Sequence, residues 1–290
     1  MTISFTEKTW TSPDGLELYF RDYCEASERP PVICLHGLTR NSRDFAELAA
    51  HIAGQGWRVL VPDMRGRGKS EYASDSATYA VPIYVGDLLA LLAQEEIERF
   101  VSVGTSMGGI ITMVLAAMQP GKIAGAVLND IGPVIETEGL DRIKNYVGQG
   151  RSFPTWMHAA RTLQDLHGPS HPKYGIEDWL SMAKRSMVVG GSGRIVFDYD
   201  MKIAEPILAA ASDAAAVPPD MWPAFEALAG KPLLVVRGGI SALFSSDTLA
   251  EMHRRIPDMR SVTVDEVGHA PMMDETEVRA AIDALLAQVG

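Results

Sequence analysis

The five residues Gly104-Thr105-Ser106-Met107-Gly108 constrain this chain more than any other stretch. They follow an apolar, β-branched run, Phe100-Val101-Ser102-Val103, and precede a helix-like one, Ile110-Ile111-Thr112-Met113-Val114-Leu115. Strand, G-x-S-x-G, helix is the setting in which this pattern forms a nucleophile elbow. The turn is sharp enough to strain the serine backbone, and the two glycines, lacking Cβ atoms, let strand and helix approach closely around it. The Ser106 hydroxyl is then left exposed at the top of a sheet. G-x-S-x-G by itself is a weak signal, so its weight depends on the rest of the chain.

The flanking pattern supplies that weight. Thr9 to Tyr23 reads as two strands around the turn Ser12-Pro13-Asp14-Gly15. Pro31-Val32-Ile33-Cys34-Leu35 is continuously apolar, as buried parallel strands are. A helix over Ser42 to Ala53, a strand Arg58-Val59-Leu60-Val61, a helix near Val81 to Gln94, the elbow strand and helix, and a strand from Ile123 to Asn129 follow. The alternation stops near Pro133 and resumes with Pro232-Leu233-Leu234-Val235-Val236, a helix near Asp247 to Arg255, the strand Ser261-Val262-Thr263-Val264 and a final amphipathic helix from about Glu275. Strands alternating with helices imply an α/β fold, a mostly parallel doubly wound sheet covered on both faces. Residues 134–217 are too long for a structureless loop and show no clear buried strand, so they read as a helical insertion over the sheet. The expected division is a core of residues 1–133 and 218–290 with an insertion of 134–217.

A length of 290 residues suits one such domain carrying an insertion. The formal charge of −11 counts against nucleic acid and anionic membrane surfaces as partners. No apolar run reaches bilayer length, and Met1-Thr2-Ile3-Ser4-Phe5-Thr6-Glu7-Lys8 lacks the basic start and apolar core of a secretion signal. With only Cys24 and Cys34 there is no disulfide framework, and a cytoplasmic location is the expectation.

A serine hydroxyl needs a base, and the base needs something to orient it. Of seven histidines, His269 is placed for this, in Val267-Gly268-His269-Ala270-Pro271 just past the last strand. Parallel strands end on one edge, so the loops after the elbow strand and the last strand share a crevice. Donors for a developing oxyanion are expected from the Met107 N–H, at a helix start, and from the Leu38 N–H in His36-Gly37-Leu38-Thr39. His36 itself reads as a structural hydrogen-bonding residue.

The chain resembles the α/β-hydrolase fold family. The His36-Gly37 loop, Pro62-Asp63-Met64-Arg65-Gly66-Arg67-Gly68-Lys69-Ser70, Gly104-Thr105-Ser106-Met107-Gly108-Gly109 and Gly268-His269-Ala270-Pro271 match its motifs in order. The insertion falls where that family carries its cap. The resemblance implies a cofactor-independent serine hydrolase acting on a small or medium, largely apolar carboxylic ester or lactone, with no metal. Hydrolysis of a carbon–carbon bond in a diketone uses the same serine and histidine and stays open. So does a ligand-binding or signalling homologue whose turnover has decayed.

The resemblance breaks at the acid. The family pattern places it in the loop after the penultimate strand, which here reads Arg237-Gly238-Gly239-Ile240-Ser241-Ala242-Leu243, with Ala242 in the acid's place. Asp130, in Leu128-Asn129-Asp130-Ile131-Gly132-Pro133, is the leading substitute, as in branches such as certain haloalkane dehalogenases and lactonases that carry the acid on this strand. Its blander role is to hold the hinge of the cap. Asp247 is the weaker candidate, sitting in a helix's first turn, and a replaced native acid at 242 is the third reading. Several other features are read as structural. Asp63 is expected to pair with Arg65, since Gly68-Lys69-Ser70 lacks the upstream glycine of a phosphate loop. His167 and His171 are expected on an exposed loop, because Gly168-Pro169 breaks any helix between them. Gly190-Gly191-Ser192-Gly193 reads as a hairpin or flexible turn, and Trp156, Met157, Trp179, Met182 and Met187 as core packing or pocket lining.

Overall fold

The computed structural model describes residues 4–24, 27–212 and 219–289. Met1-Thr2-Ile3 and the expected boundary between residues 217 and 218 lie outside them. Strands β1 (Phe5–Thr11) and β2 (Glu17–Tyr23) form an antiparallel hairpin around Gly15, whose φ of +92° suits a residue without Cβ. Alternation follows with β3 (Val32–Leu35), α1 (Ala46–Ala53), β4 (Val59–Pro62), α2 (Val81–Gln94), β5 (Phe100–Thr105), α3 (Met107–Met118) and β6 (Ile123–Asn129). An upper segment then runs through α4 (Thr137–Tyr146), β7 (Ser152–Phe153), α5 (Trp156–His167), α6 (Ile176–Ser186), β8 (Met187–Val189), β9 (Ile195–Phe197) and α7 (Ala204–Ser212). The chain closes with α8 (Trp222–Glu226), β10 (Leu233–Gly238), α9 (Ser246–Arg255), β11 (Arg260–Val264) and α10 (Thr276–Leu286).

The main sheet has eight strands in the order β1-β2-β4-β3-β5-β6-β10-β11, parallel from β4 onward. Every residue of β3, β4 and β6 is buried, the reason these strands read as unbroken apolar runs. Their side chains divide between two cores by alternation. Ile33 and Leu35 face α2 and α3, with Leu88, Leu91, Ile111 and Leu115, while Val32 and Cys34 face α1 and α10, with Leu48, Ile52, Ile282 and Leu285. No helix among the described residues is long and apolar enough to cross a membrane.

The upper segment is not purely helical, contrary to the expectation. It holds a small antiparallel sheet, β7-β9-β8, whose strands of two or three residues are too short to show a period. Gly190-Gly191-Ser192-Gly193 is the hairpin turn between β8 and β9, with φ +73° at Gly193. Trp179 and Met187 lie in this segment's own core beside Ala160 and Leu163, Trp156 packs against it, and Met157 is 39% exposed.

The elbow depends on close packing of backbone on backbone. A Cβ on Gly108 would stand 2.0 Å from Leu35 O, and one on Gly104 would stand 2.5 Å from the Gly108 carbonyl carbon. Neither neighbour can yield, because both belong to the sheet and helix that meet there. Gly121, by contrast, has nothing within 4 Å of a built Cβ. Gly108→Ala is therefore expected to destabilise the protein by about 2 kcal/mol or more, despite alanine's better helix propensity. Gly121→Ala should stay within about 0.5 kcal/mol. Urea unfolding of the two variants beside the parent checks the contrast.

Candidate active site

The C-terminal edge of the parallel strands gathers the loops that carry the polar residues. Ser106 follows β5 with φ +52° and ψ −113°, the strained elbow conformation, and its N–H donates to Asn129 O at 3.0 Å. Its Oγ lies 2.9 Å from His269 Nε2, beyond β11. The other ring nitrogen, Nδ1, is 2.7 Å from Asp130 Oδ2, just past β6. The three residues named from sequence thus form one continuous hydrogen-bonded chain. With Nδ1–H donating to the carboxylate, Nε2 is left to accept the serine proton.

Asp130 is fully buried and held from three sides. Gly238 N–H donates to its Oδ1 at 2.7 Å, and Ser241 Oγ donates to its Oδ2 at 2.6 Å. Its own N–H donates to Val236 O at 2.8 Å. The loop after β10, where the family pattern places an acid, contributes hydrogen-bond donors to an acid on the neighbouring strand. Sequence reasoning missed Ser241 and the Gly238 amide, although Ser241 stands directly before the conspicuous Ala242. Asp247 is exposed in the first turn of α9, which Ser245 caps through the Thr248 N–H.

Leu38 lines the same pocket as Ser106, and Met107 opens α3 directly after it. Arg67 ties these two positions together and was not singled out from sequence. Fully buried, it donates from Nε to Leu38 O at 2.9 Å and from Nη2 to Met107 Sδ at 3.8 Å. Its Nη1 donates to Arg65 O and to Tyr84 Oη. The expected Asp63–Arg65 pair is not formed. Arg65 reaches Asp87 at 2.6 Å and Asp14 at 2.8 Å. Asp63 instead accepts the N–H groups of Ser42 at 2.5 Å and Lys69 at 2.9 Å, because its loop wraps the carboxylate in backbone donors before a side chain can reach it. Burial still pushes its pKa above the ordinary carboxylate value.

The pocket at Ser106 has a volume of ≈ 100 Å³, with Arg40, Tyr146, Met182 and both His167 and His171 among its walls. The expectation of an exposed loop for the two histidines is therefore corrected. Gly168-Pro169 does end the helix, at His167, but the turn folds inward and leaves His171 only 4% exposed. His171 stacks on Tyr174, with ring centroids 4.6 Å apart, and meets the edge of Trp179. Burial first, then repulsion by Arg40, lowers the pKa of each histidine to about 4.

The family model of the α/β hydrolase fold matches residues 30–276. The chain belongs to the α/β-hydrolase fold family. A solved α/β hydrolase from Novosphingobium aromaticivorans is 56% identical, each chain covering 100% of the other, with a TM-score of 0.93. A 3-hydroxybutyrate-oligomer hydrolase of Cupriavidus necator is 36% identical over 93% of each chain. A 2-(acetamidomethylene)succinate hydrolase of Mesorhizobium japonicum is 27% identical over 84% of this chain and 83% of its own. With this family and these relatives, the protein is a hydrolase.

His36 makes the site's loop sensitive to acid. Met64 N–H donates to its Nε2 at 3.0 Å, so the ring proton is on Nδ1, 2.8 Å from Gly37 O. Complete burial, only partly offset by the Gly37 bond, lowers its pKa from 6.5 to about 4. Above pH 6.5 the ring is neutral in folded and unfolded chains alike, and its contribution is fully present. Below pH 6.5 the unfolded chain takes up a proton that the folded one refuses until about pH 4, so stability is lost across that window. The steepest contribution is about 1.4 kcal/mol per pH unit for one such group. His167 and His171 act in the same direction. In urea titrations from pH 7 to 4.5, His36→Gln, which can still accept from Met64, is expected to show a shallower loss than the parent.

Proposed function

We propose that the protein is a serine hydrolase of carboxylic esters, with Ser106 as nucleophile, His269 as base and Asp130 as the acid behind it. The observation that carries this reading is the unbroken contact from Asp130 through His269 to Ser106. Ser106 Oγ attacks the ester carbonyl while its proton passes to His269 Nε2. The N–H groups of Leu38 and Met107 receive the oxyanion, the second at the positive end of α3. Collapse expels the alcohol, which takes the proton from Nε2. Water then gives a proton to His269 and attacks the acyl group, releasing the acid and restoring Ser106. Asp130 stays ionised throughout and balances the imidazolium.

The insertion expected at 134–217, described as far as residue 212, serves in this reading as the cap over the site. A pocket of ≈ 100 Å³, well below the usual size of drug-sized sites, supports a short acyl group. The 3-hydroxybutyrate-oligomer hydrolase relative makes short hydroxyacid esters the first substrates to assay. A binding protein with decayed turnover drew its only support from the missing acid, and a carboxylate does stand behind His269.

Assays with p-nitrophenyl butyrate and a fluorophosphonate probe test the reading. Ser106→Ala should lose both labelling and turnover. Asp130→Asn should lower kcat by about four orders of magnitude, through the wrong histidine tautomer, whereas Ala242→Asp should change it little. A large gain from Ala242→Asp together with a harmless Asp130→Asn would falsify the assignment of the acid.

A further inference from the structure

Arg40 stands beside the nucleophile with part of its hydrogen-bonding capacity uncommitted. It closes the turn after β3, its N–H donating to Gly37 O at 3.1 Å. A Cβ built on Gly37 would lie 3.6 Å from Arg40 Cγ and 3.8 Å from Ser106 Cβ, so the two side chains flank a single glycine. Arg40 Nε donates to Asp44 Oδ2 at 2.5 Å, and among the described residues this is the one side-chain hydrogen bond Arg40 makes. Among the described residues no side chain accepts from the Nη edge of its fork.

The charges around it do not cancel. Asp44 is the single carboxylate among the pocket's lining residues. It is also shared, because Arg185 Nε lies 3.9 Å from its Oδ1. Asp44 is thus divided between Arg40, which lines the pocket at Ser106, and Arg185, which lines the neighbouring one. His167 and His171 on the same walls are neutral near pH 7 and supply no anion. A guanidinium fork with one edge committed and the other open is suited to a planar carboxylate, and it strengthens as water is excluded.

The geometry points to Arg40 as the residue that selects esters bearing a free carboxylate, holding that group through its Nη edge while Ser106 attacks the ester carbonyl. This rests on the serine-hydrolase reading and names its substrate class. In a hydroxyacid dimer the terminal carboxylate sits only a few bonds from the scissile ester, a separation in keeping with the single glycine between Arg40 and Ser106. Arg40 would then act on recognition, steering and anchoring the anionic end.

The test compares the linear dimer of 3-hydroxybutyrate with its terminal carboxamide, alongside p-nitrophenyl butyrate. The parent should favour the dimer by about tenfold or more in kcat/KM, chiefly through KM, as for loss of one charge-assisted hydrogen bond. Arg40→Gln should abolish that preference, and Arg40→Lys should keep part of it. Inhibition of p-nitrophenyl butyrate turnover by butyrate but not butyramide, present in the parent and lost in Arg40→Gln, reads the same contact. Equal use of dimer and carboxamide by the parent, or a preference that survives in folded Arg40→Gln, overturns the inference and leaves the serine chemistry standing. Absence of both p-nitrophenyl butyrate turnover and Ser106 labelling in the parent overturns the serine-hydrolase reading, and this inference with it.

Discussion

The buried carboxylate of Asp130 is the point on which the C-terminal edge of the sheet depends. It is an ion with no exposure to water, which is tolerable only when its lone pairs are satisfied. Here they accept from His269 Nδ1, Ser241 Oγ and the Gly238 N–H. Those donors come from the loop after β11, the last residue of β10 and the loop after β10, so one charge just past β6 fixes the positions of three strand ends. Asn129, immediately before it, extends the same tie. Its Nδ2 donates to Thr105 Oγ1 at 3.0 Å and to Pro271 O at 2.9 Å, linking the elbow to the histidine loop. The carboxylate and the amide beside it bring together four loops that are distant in sequence.

A carboxylate just past β6 can reach His269 because β6 and β10 are parallel neighbours in register, Asn129 opposite Val236. Adjacent strands lie only about 4.8 Å apart, within the span that side-chain length and loop conformation can absorb. Asp130 has φ +53°, a conformation aspartate tolerates better than most residues and one that turns the chain out of the strand. The loop after β10 is then free for a different use. A Cβ on Gly139 of α4 would lie 2.7 Å from Ala242 O and 2.6 Å from Leu243 Cα, so the root of the upper segment packs directly on this loop. Small residues on both sides fit that approach.

The sequence made the parallel sheet, the elbow and the histidine legible because each has a local signature: unbroken apolar strands, a glycine-bracketed serine, a histidine past the last strand. The contact of Asp130 with His269 was legible as well, once Ala242 was seen to break the family pattern. What escaped depends on contacts that no spacing encodes. Asp63 and Arg65 are two residues apart and of opposite sign, yet each finds better-placed partners elsewhere in the fold. His167 and His171 looked exposed because the Gly168-Pro169 break is local, whereas their burial comes from packing against Tyr146 and against Tyr174 and Trp179. Strands β7 to β9 were missed because runs this short carry no periodicity. Arg40 and Arg67 are ordinary surface-type residues in sequence, and only the fold turns them inward.

Arg67 also shows how the upper segment and Ser106 are mechanically joined. The loop after β4 that carries it pairs with the chain beyond β9. Gly68 N–H donates to Asp198 O at 3.0 Å, and Asp200 N–H to Gly66 O at 2.8 Å. Arg43 pairs with Asp198 at 2.7 Å, and Tyr79 Oη donates to Asp200 Oδ2 at 2.6 Å. The same loop, through Arg67, holds the Leu38 carbonyl and the Met107 sulfur. Lifting the 198–200 end of the upper segment would therefore break backbone hydrogen bonds and an ion pair, and would pull on the residues flanking Ser106. At this end the segment acts as a fixed wall, so its position and the geometry around Ser106 are set by one buried loop.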